Sequence, residues 1–169
     1  MELETLELQD ALERVLRSYG AYYTIDRTNP TVPFAAQAVF HAHGEQYFLI
    51  KQAKYAEIDS NEYVYFALEH APTPARIREL SKLAWEAGLA QVVPTSTHRE
   101  SDVLLILLAD SLSDETAREI RGTRYSKSYR LGLQGYSHFR LAAIEPATGR
   151  TAHNPMGQDL AKLLSNIYQ

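Results

Sequence analysis

Residues Val103 to Ala109 read Val-Leu-Leu-Ile-Leu-Leu-Ala, an apolar run with no polar interruption. A surface helix shows an apolar stripe, and a half-exposed strand alternates. An unbroken short run fits a central strand covered on both faces. A chain built on such a strand needs a layer of structure on each side of its sheet. Its 169 residues suit one globular domain, 1–169. At 45% hydrophobic and 22% charged, it can fill a core without staples.

The rest of the sequence supplies those layers. Thr5 to Tyr19 predicts an amphipathic helix, with Leu8, Leu12, Val15, Leu16 and Tyr19 on one face, Thr5 as cap and Gly20 as stop. Glu13 and Arg17 are spaced to pair along it. Phe34 to Ala42 alternates as a half-buried strand, His43-Gly44 reads as a turn, and Gln46 to Tyr55 as the return strand. After a turn at Asp59-Ser60-Asn61, residues 62–68 form a third strand, with Val64, Phe66 and Leu68 on one face and Tyr63, Tyr65 and Ala67 on the other. Thr73 and Pro74 open a helix whose stripe is Ile77, Leu80, Leu83, Ala84 and Ala87, and Gly88 closes it. Ser113 caps a short helix from Asp114 to Arg121. Alternation from Lys127 to Leu133 and from Ser137 to Ile144 predicts two more strands, and Pro146 to Gly149 a turn. Asn154 and Pro155 open a last helix with Met156, Leu160, Leu163, Leu164 and Ile167 buried. The order α-βββ-α-β-α-ββ(β)-α defines an α+β fold, a mixed, mostly antiparallel sheet flanked by helices.

Composition narrows the function. There is no cysteine, so disulfides, thiolate metal sites and thiol nucleophiles are excluded. The first ten residues carry four acids and no base, unlike a secretory leader, and no apolar run spans a bilayer. These features point to the cytoplasm and away from the membrane. A net charge of −4 argues against a duplex-DNA footprint while leaving room for a local basic patch. Glycine-rich phosphate loops, Gly-x-Ser-x-Gly and His-Glu-x-x-His are absent from the sequence.

Three constellations carry chemistry. The first is Gln52-Ala53-Lys54. Some restriction-endonuclease-like nucleases use a Gln-x-Lys strand, and this stretch resembles it locally. Lys54 would activate a water beside a divalent metal held by carboxylates such as Glu57, Asp59 and Glu62. The pattern departs from those nucleases in two ways: residues 34–43 hold no acid, and Asp/Glu-x-Lys occurs nowhere in the chain. The second is His41-Ala42-His43-Gly44-Glu45. Residues two apart on a strand share a face, so both imidazoles can meet one metal, with Glu45 as a third ligand. The third is the basic series Arg118, Arg121, Arg124, Lys127 and Arg130, which with Glu119 makes a window of net +4. Tyr125, Tyr129, Tyr136 and Phe139 interleave with these bases, and His138 and Arg140 follow. Arginine forks bind phosphate or carboxylate, and exposed rings stack on bases.

Phe34-Ala35-Ala36, Asp59-Ser60-Asn61-Glu62-Tyr63-Val64, and Lys127-Ser128-Tyr129-Arg130 running to Gly135-Tyr136-Ser137-His138-Phe139-Arg140-Leu141-Ala142 together resemble an uncharacterised family of small bacterial and archaeal proteins, over about Tyr19 to Leu164. The resemblance implies a prokaryotic single-domain protein with no assigned activity, and it carries over no functional residue. The sequence therefore favours a non-enzymatic binding or regulatory module without a cofactor. It would hold an anionic ligand or protein partner through Arg124, Lys127, Arg130, His138 and Arg140. The alternative is a metal-dependent nuclease-like enzyme centred on Lys54.

Overall fold

The computed structural model describes residues 2–42, 59–94 and 98–168. The helices are α1 (Glu2–Tyr19), α2 (Pro74–Leu89), α3 (Asp114–Gly122) and α4 (Gln158–Ile167). The strands are β1 (Thr24–Asp26), β2 (Ala36–Ala42), β3 (Asp59–Glu69), β4 (His98–Ala109), β5 (Ser126–Ser128), β6 (Tyr136–Ile144) and β7 (Thr151–His153). They form one mixed sheet in the order β1-β2-β3-β4-β6-β5, with β7 also paired to β6. β3, β4 and β6 are parallel to one another, and the flanking pairings are antiparallel.

β4 is the central strand that its apolar run requires. Val103, Leu105, Leu107 and Ala109 pack with Ile77, Leu80, Ala84 and Trp85 of α2 and with Ala117 and Ile120 of α3. Leu104, Ile106 and Leu108 pack on the other face with α1 and with Leu160, Ala161 and Leu164 of α4. Each such leucine or isoleucine contributes roughly 1.5–3 kcal/mol by leaving water. The two faces expected of residues 62–68 are seen in β3, whose Tyr63, Tyr65 and Ala67 join the first layer and whose Val64 and Phe66 join the second.

Caps set the ends of α2 and α3. Thr73 accepts from the Arg76 backbone N–H at 3.1 Å, and Ser113 from that of Thr116 at 3.1 Å. Elsewhere the structure corrects the sequence. α1 begins at Glu2, so Thr5 lies inside the helix rather than capping it. Glu13 pairs with Arg27 rather than Arg17. Gly88 is not a stop: α2 continues to Leu89, and a Cβ on Gly88 would lie 2.4 Å from Val103 Cγ2. The alternation from Lys127 to Leu133 is a strand only over Ser126–Ser128. Arg130 (φ 48°), Leu131 (φ 54°) and Gly132 (φ 89°) turn the chain through left-handed backbone, which a strand does not use. Asn154 makes no side-chain cap bond, and Met156 and Leu163 are exposed rather than buried. β1 is a short addition to the sheet that periodicity did not reveal, and β7 is the parenthetical strand of the expected order. The strand expected at Gln46 to Tyr55 lies outside the described residues.

Candidate metal centre at the start of the parallel strands

On the face covered by α1 and α4, even-numbered residues of β3, β4 and β6 point inward. Deep in the layer they are apolar: Val64 and Phe66, Leu104 and Ile106, Ala142 and Ile144. Toward the amino-terminal ends of these strands the chemistry changes. The register sets Glu62 beside Asp102 and Glu100 beside Tyr136, and the same offset brings His138 and Arg140 to the flank of Asp102.

Asp102 is the floor of this cluster, with 3% of its side chain exposed. Its Oδ2 lies 2.7 Å from Arg140 Nη2, and its Oδ1 accepts from the His138 backbone N–H at 3.3 Å. The Asp102 carboxyl is pushed up to about 6. Burial is the main cause; Arg140 and His138 oppose it, and Glu100 and Glu62 add to it. Beyond Asp102, Glu62 is buried and accepts a hydrogen bond from Tyr23 Oη. Tyr19 closes the layer over Phe66 and Tyr23, and burial raises both phenols above their ordinary range.

His138 faces the solvent side of Asp102. Its Nδ1 stands 3.7 Å from Asp102 Oδ1, too far for a hydrogen bond, and this buried nitrogen has no hydrogen-bond partner among the described residues. Ligand atoms of Glu100, Asp102 and His138 all lie within 4.8 Å of one another. Tetrahedral ligands about 2.0–2.2 Å from a metal sit roughly 3.3–3.6 Å apart, so the Asp102–His138 spacing suits two ligands of one ion better than a direct contact. One imidazole and two carboxylates form a donor set suited to Zn²⁺ or Mn²⁺.

The expected site residues divide. His138 and Arg140 meet in this cluster, and Glu62 borders it. Lys127 pairs in register with Ser137, so it projects on the opposite face, with its ammonium 5.3 Å from the Tyr129 ring centre. Arg124 and Arg130 are exposed, in the loop after α3 and in the 129–135 turn. Of the interleaved aromatics, Tyr125 stacks on Trp85, Tyr129 is buried with its hydroxyl 2.8 Å from Ser137 Oγ, and Phe139 is core; Tyr136 is exposed. His41 is the penultimate residue of β2, opposite Asn61, and Asp59 opens β3, as backbone positions. His43, Glu45, Gln52, Lys54 and Glu57 lie outside the described residues. His70 stands at the other end of the parallel strands, 2.9 Å from Asp110.

Glu100 and Asp102 were not singled out from the sequence, although a signal was there. Asp102 shares the parity of Leu104, Ile106 and Leu108, so a strand covered on both faces must point that acid inward.

Fold and cluster together define a class: an α+β domain whose central parallel strands begin at a partly buried cluster of acids and a histidine. Residues 7–166 match the family model described as a domain of unknown function, DUF8052, and the chain belongs to that family. No curated protein and no solved structure matches the chain significantly. No helix of the described residues is long and apolar enough to cross a membrane.

Proposed function

We propose that this domain is a binding or regulatory module that holds a divalent metal ion through Glu100, Asp102 and His138. The observation that carries the reading is the convergence of three ligand atoms within 4.8 Å, one of them a buried imidazole nitrogen with no hydrogen-bond partner among the described residues. Charge agrees with it. Three carboxylates, Glu62, Glu100 and Asp102, meet the guanidinium of Arg140, so with neutral His138 the cluster is net negative and attracts a cation. Arg140 neutralises part of the buried charge and bonds Oδ2, which leaves Oδ1 turned toward His138.

This reading divides the basic segment expected to bind an anion. His138 and Arg140 serve the acidic pocket, and an anion meets repulsion there while the metal is absent. Arg124 and Arg130 stay exposed on the surface, and an anionic ligand or partner would meet them there.

Titration calorimetry of chelator-treated protein with Mn²⁺ and Zn²⁺ tests the proposal. One ion should bind per chain, and His138→Ala and Asp102→Asn should each weaken binding at least tenfold with the circular dichroism unchanged. Absence of binding in the wild type, or wild-type affinity in both variants, overturns it.

A further inference from the structure

We infer that the metal site takes a phosphate-bearing planar ring, a mononucleotide, with its phosphate on the metal and its base on Tyr136. This inference rests on the metal reading above. Three protein ligands leave at least one coordination position open to an outside oxygen. Beside Glu100 in the sheet register stands Tyr136, which is 47% exposed. Its ring lies at 24° to the His138 ring with centres 6.4 Å apart. One aromatic face is thus held close to a metal ligand at the solvent side of the pocket.

The 129–135 turn packs against that ring. A Cβ on Gly132 would fall 2.3 Å from Tyr136 Oη, so the bare glycine lets the hydroxyl end lie against the turn. The turn needs left-handed backbone at Arg130 and Leu131, a conformation that residues with a side chain rarely adopt. The same turn carries the exposed Arg130. A guanidinium there complements a phosphate, and the exposed ring offers a base a stacking partner.

The charges also set an order of events. Glu62, Glu100, Asp102 and Arg140 sum to −2, which repels a phosphate. A divalent ion brings the cluster to zero, which removes that repulsion and leaves the ion itself to bind the phosphate oxygen. Nucleotide binding should therefore require the metal, and the nucleotide should strengthen metal binding by the same factor.

The test is calorimetric titration of adenosine monophosphate into the protein with and without saturating Mn²⁺. Inorganic phosphate and adenosine serve as separate arms. The nucleotide should bind only the Mn²⁺-loaded protein, at least tenfold more tightly than inorganic phosphate. Tyr136→Ala should remove that tenfold advantage while leaving Mn²⁺ and phosphate affinities in place, and Tyr136→Phe should retain it. Equal affinity for nucleotide and phosphate, or a Tyr136→Ala variant that binds nucleotide like the wild type, overturns the inference. If Mn²⁺ fails to bind at all, the metal reading fails first; if Mn²⁺ binds and the nucleotide does not, this inference alone is lost.

Discussion

Asn154 shows how much one buried polar side chain can hold together. Its Oδ1 accepts from the Leu141 N–H at 3.0 Å, and its Nδ2 donates to the carbonyls of Phe139 at 2.8 Å and Thr123 at 3.1 Å. The residue is 1% exposed, so water cannot replace these bonds. It ties the edge of β6 to the end of α3 and to the turn that leads into α4. Asn154→Ala would leave the Leu141 N–H and the Phe139 carbonyl buried without their partner, and would free the part-buried carbonyl of Thr123. We expect a loss of about 2–4 kcal/mol in urea unfolding, more than an exposed helix cap contributes. Asn154→Asp should not restore the loss, because it removes both donors and buries a charge. An Asn154→Ala midpoint within error of the wild type would show that the bonds contribute nothing net. The sequence marks Asn154 as a cap because a short polar side chain before Pro155 suits that role; the bridge depends on residues 13 to 31 positions away and has no local signature.

At the scale of elements, local chemistry was legible and close approach was not. Thr73 and Ser113 announce α2 and α3 because a cap bond spans three residues, and the sequence contains both partners. The run from Val103 to Ala109 announces a central strand because no other placement buries it. Gly88, by contrast, looks like a helix stop only while the neighbour is unknown. Its real constraint is Val103 packed on the bare backbone of α2. Gly88→Ala separates the two meanings. Helix propensity alone predicts a gain of about 1 kcal/mol. The 2.4 Å approach to Val103 Cγ2 predicts overpacking that costs about 1–3 kcal/mol. Overpacking should win, with a lower thermal midpoint for Gly88→Ala and partial recovery in the Gly88→Ala, Val103→Ala double variant. A raised midpoint in the single variant would mean that helix propensity outweighs the close approach to Val103. The same logic explains the shortened β5 and the overlooked acids. Alternating residue types do not encode the left-handed backbone at Arg130 and Leu131. Glu100 and Asp102 look like the solvated approach to an apolar strand until β6 brings His138 and Arg140 alongside them.

For the molecule as a whole, the pocket should leave its mark on stability as a function of pH. The Asp102 carboxyl has an ordinary value of 3.8 and rises to about 6 in the folded chain, mainly through burial. The folded state then holds this proton more tightly than the unfolded state. Ionised Asp102 therefore costs stability above about pH 6, and that cost disappears as the pH falls toward 3.8. The difference corresponds to at most about 3 kcal/mol. Other groups impose their own slopes; the Asp26 carboxyl, held down by the Asn29 and Thr28 N–H groups, loses its contribution on acidification. The informative quantity is therefore the gap between wild type and Asp102→Asn. The amide leaves Arg140 without its ion-pair partner, but that penalty is independent of pH. From pH 7 to pH 4, the metal-free wild type should gain on the variant by up to about 3 kcal/mol in denaturant unfolding. A constant gap would mean that Asp102 titrates alike in both states, and the buried-carboxylate picture would fail. Saturating Mn²⁺ should invert the trend. A divalent ion binds ionised Asp102 and neutral His138, so its stabilisation is greatest near neutral pH and lost on acidification. A pocket that costs stability when empty and returns it on loading is what a cation site at the base of a sheet should show. A purely structural Asp102–Arg140 ion pair would give the first slope without the second.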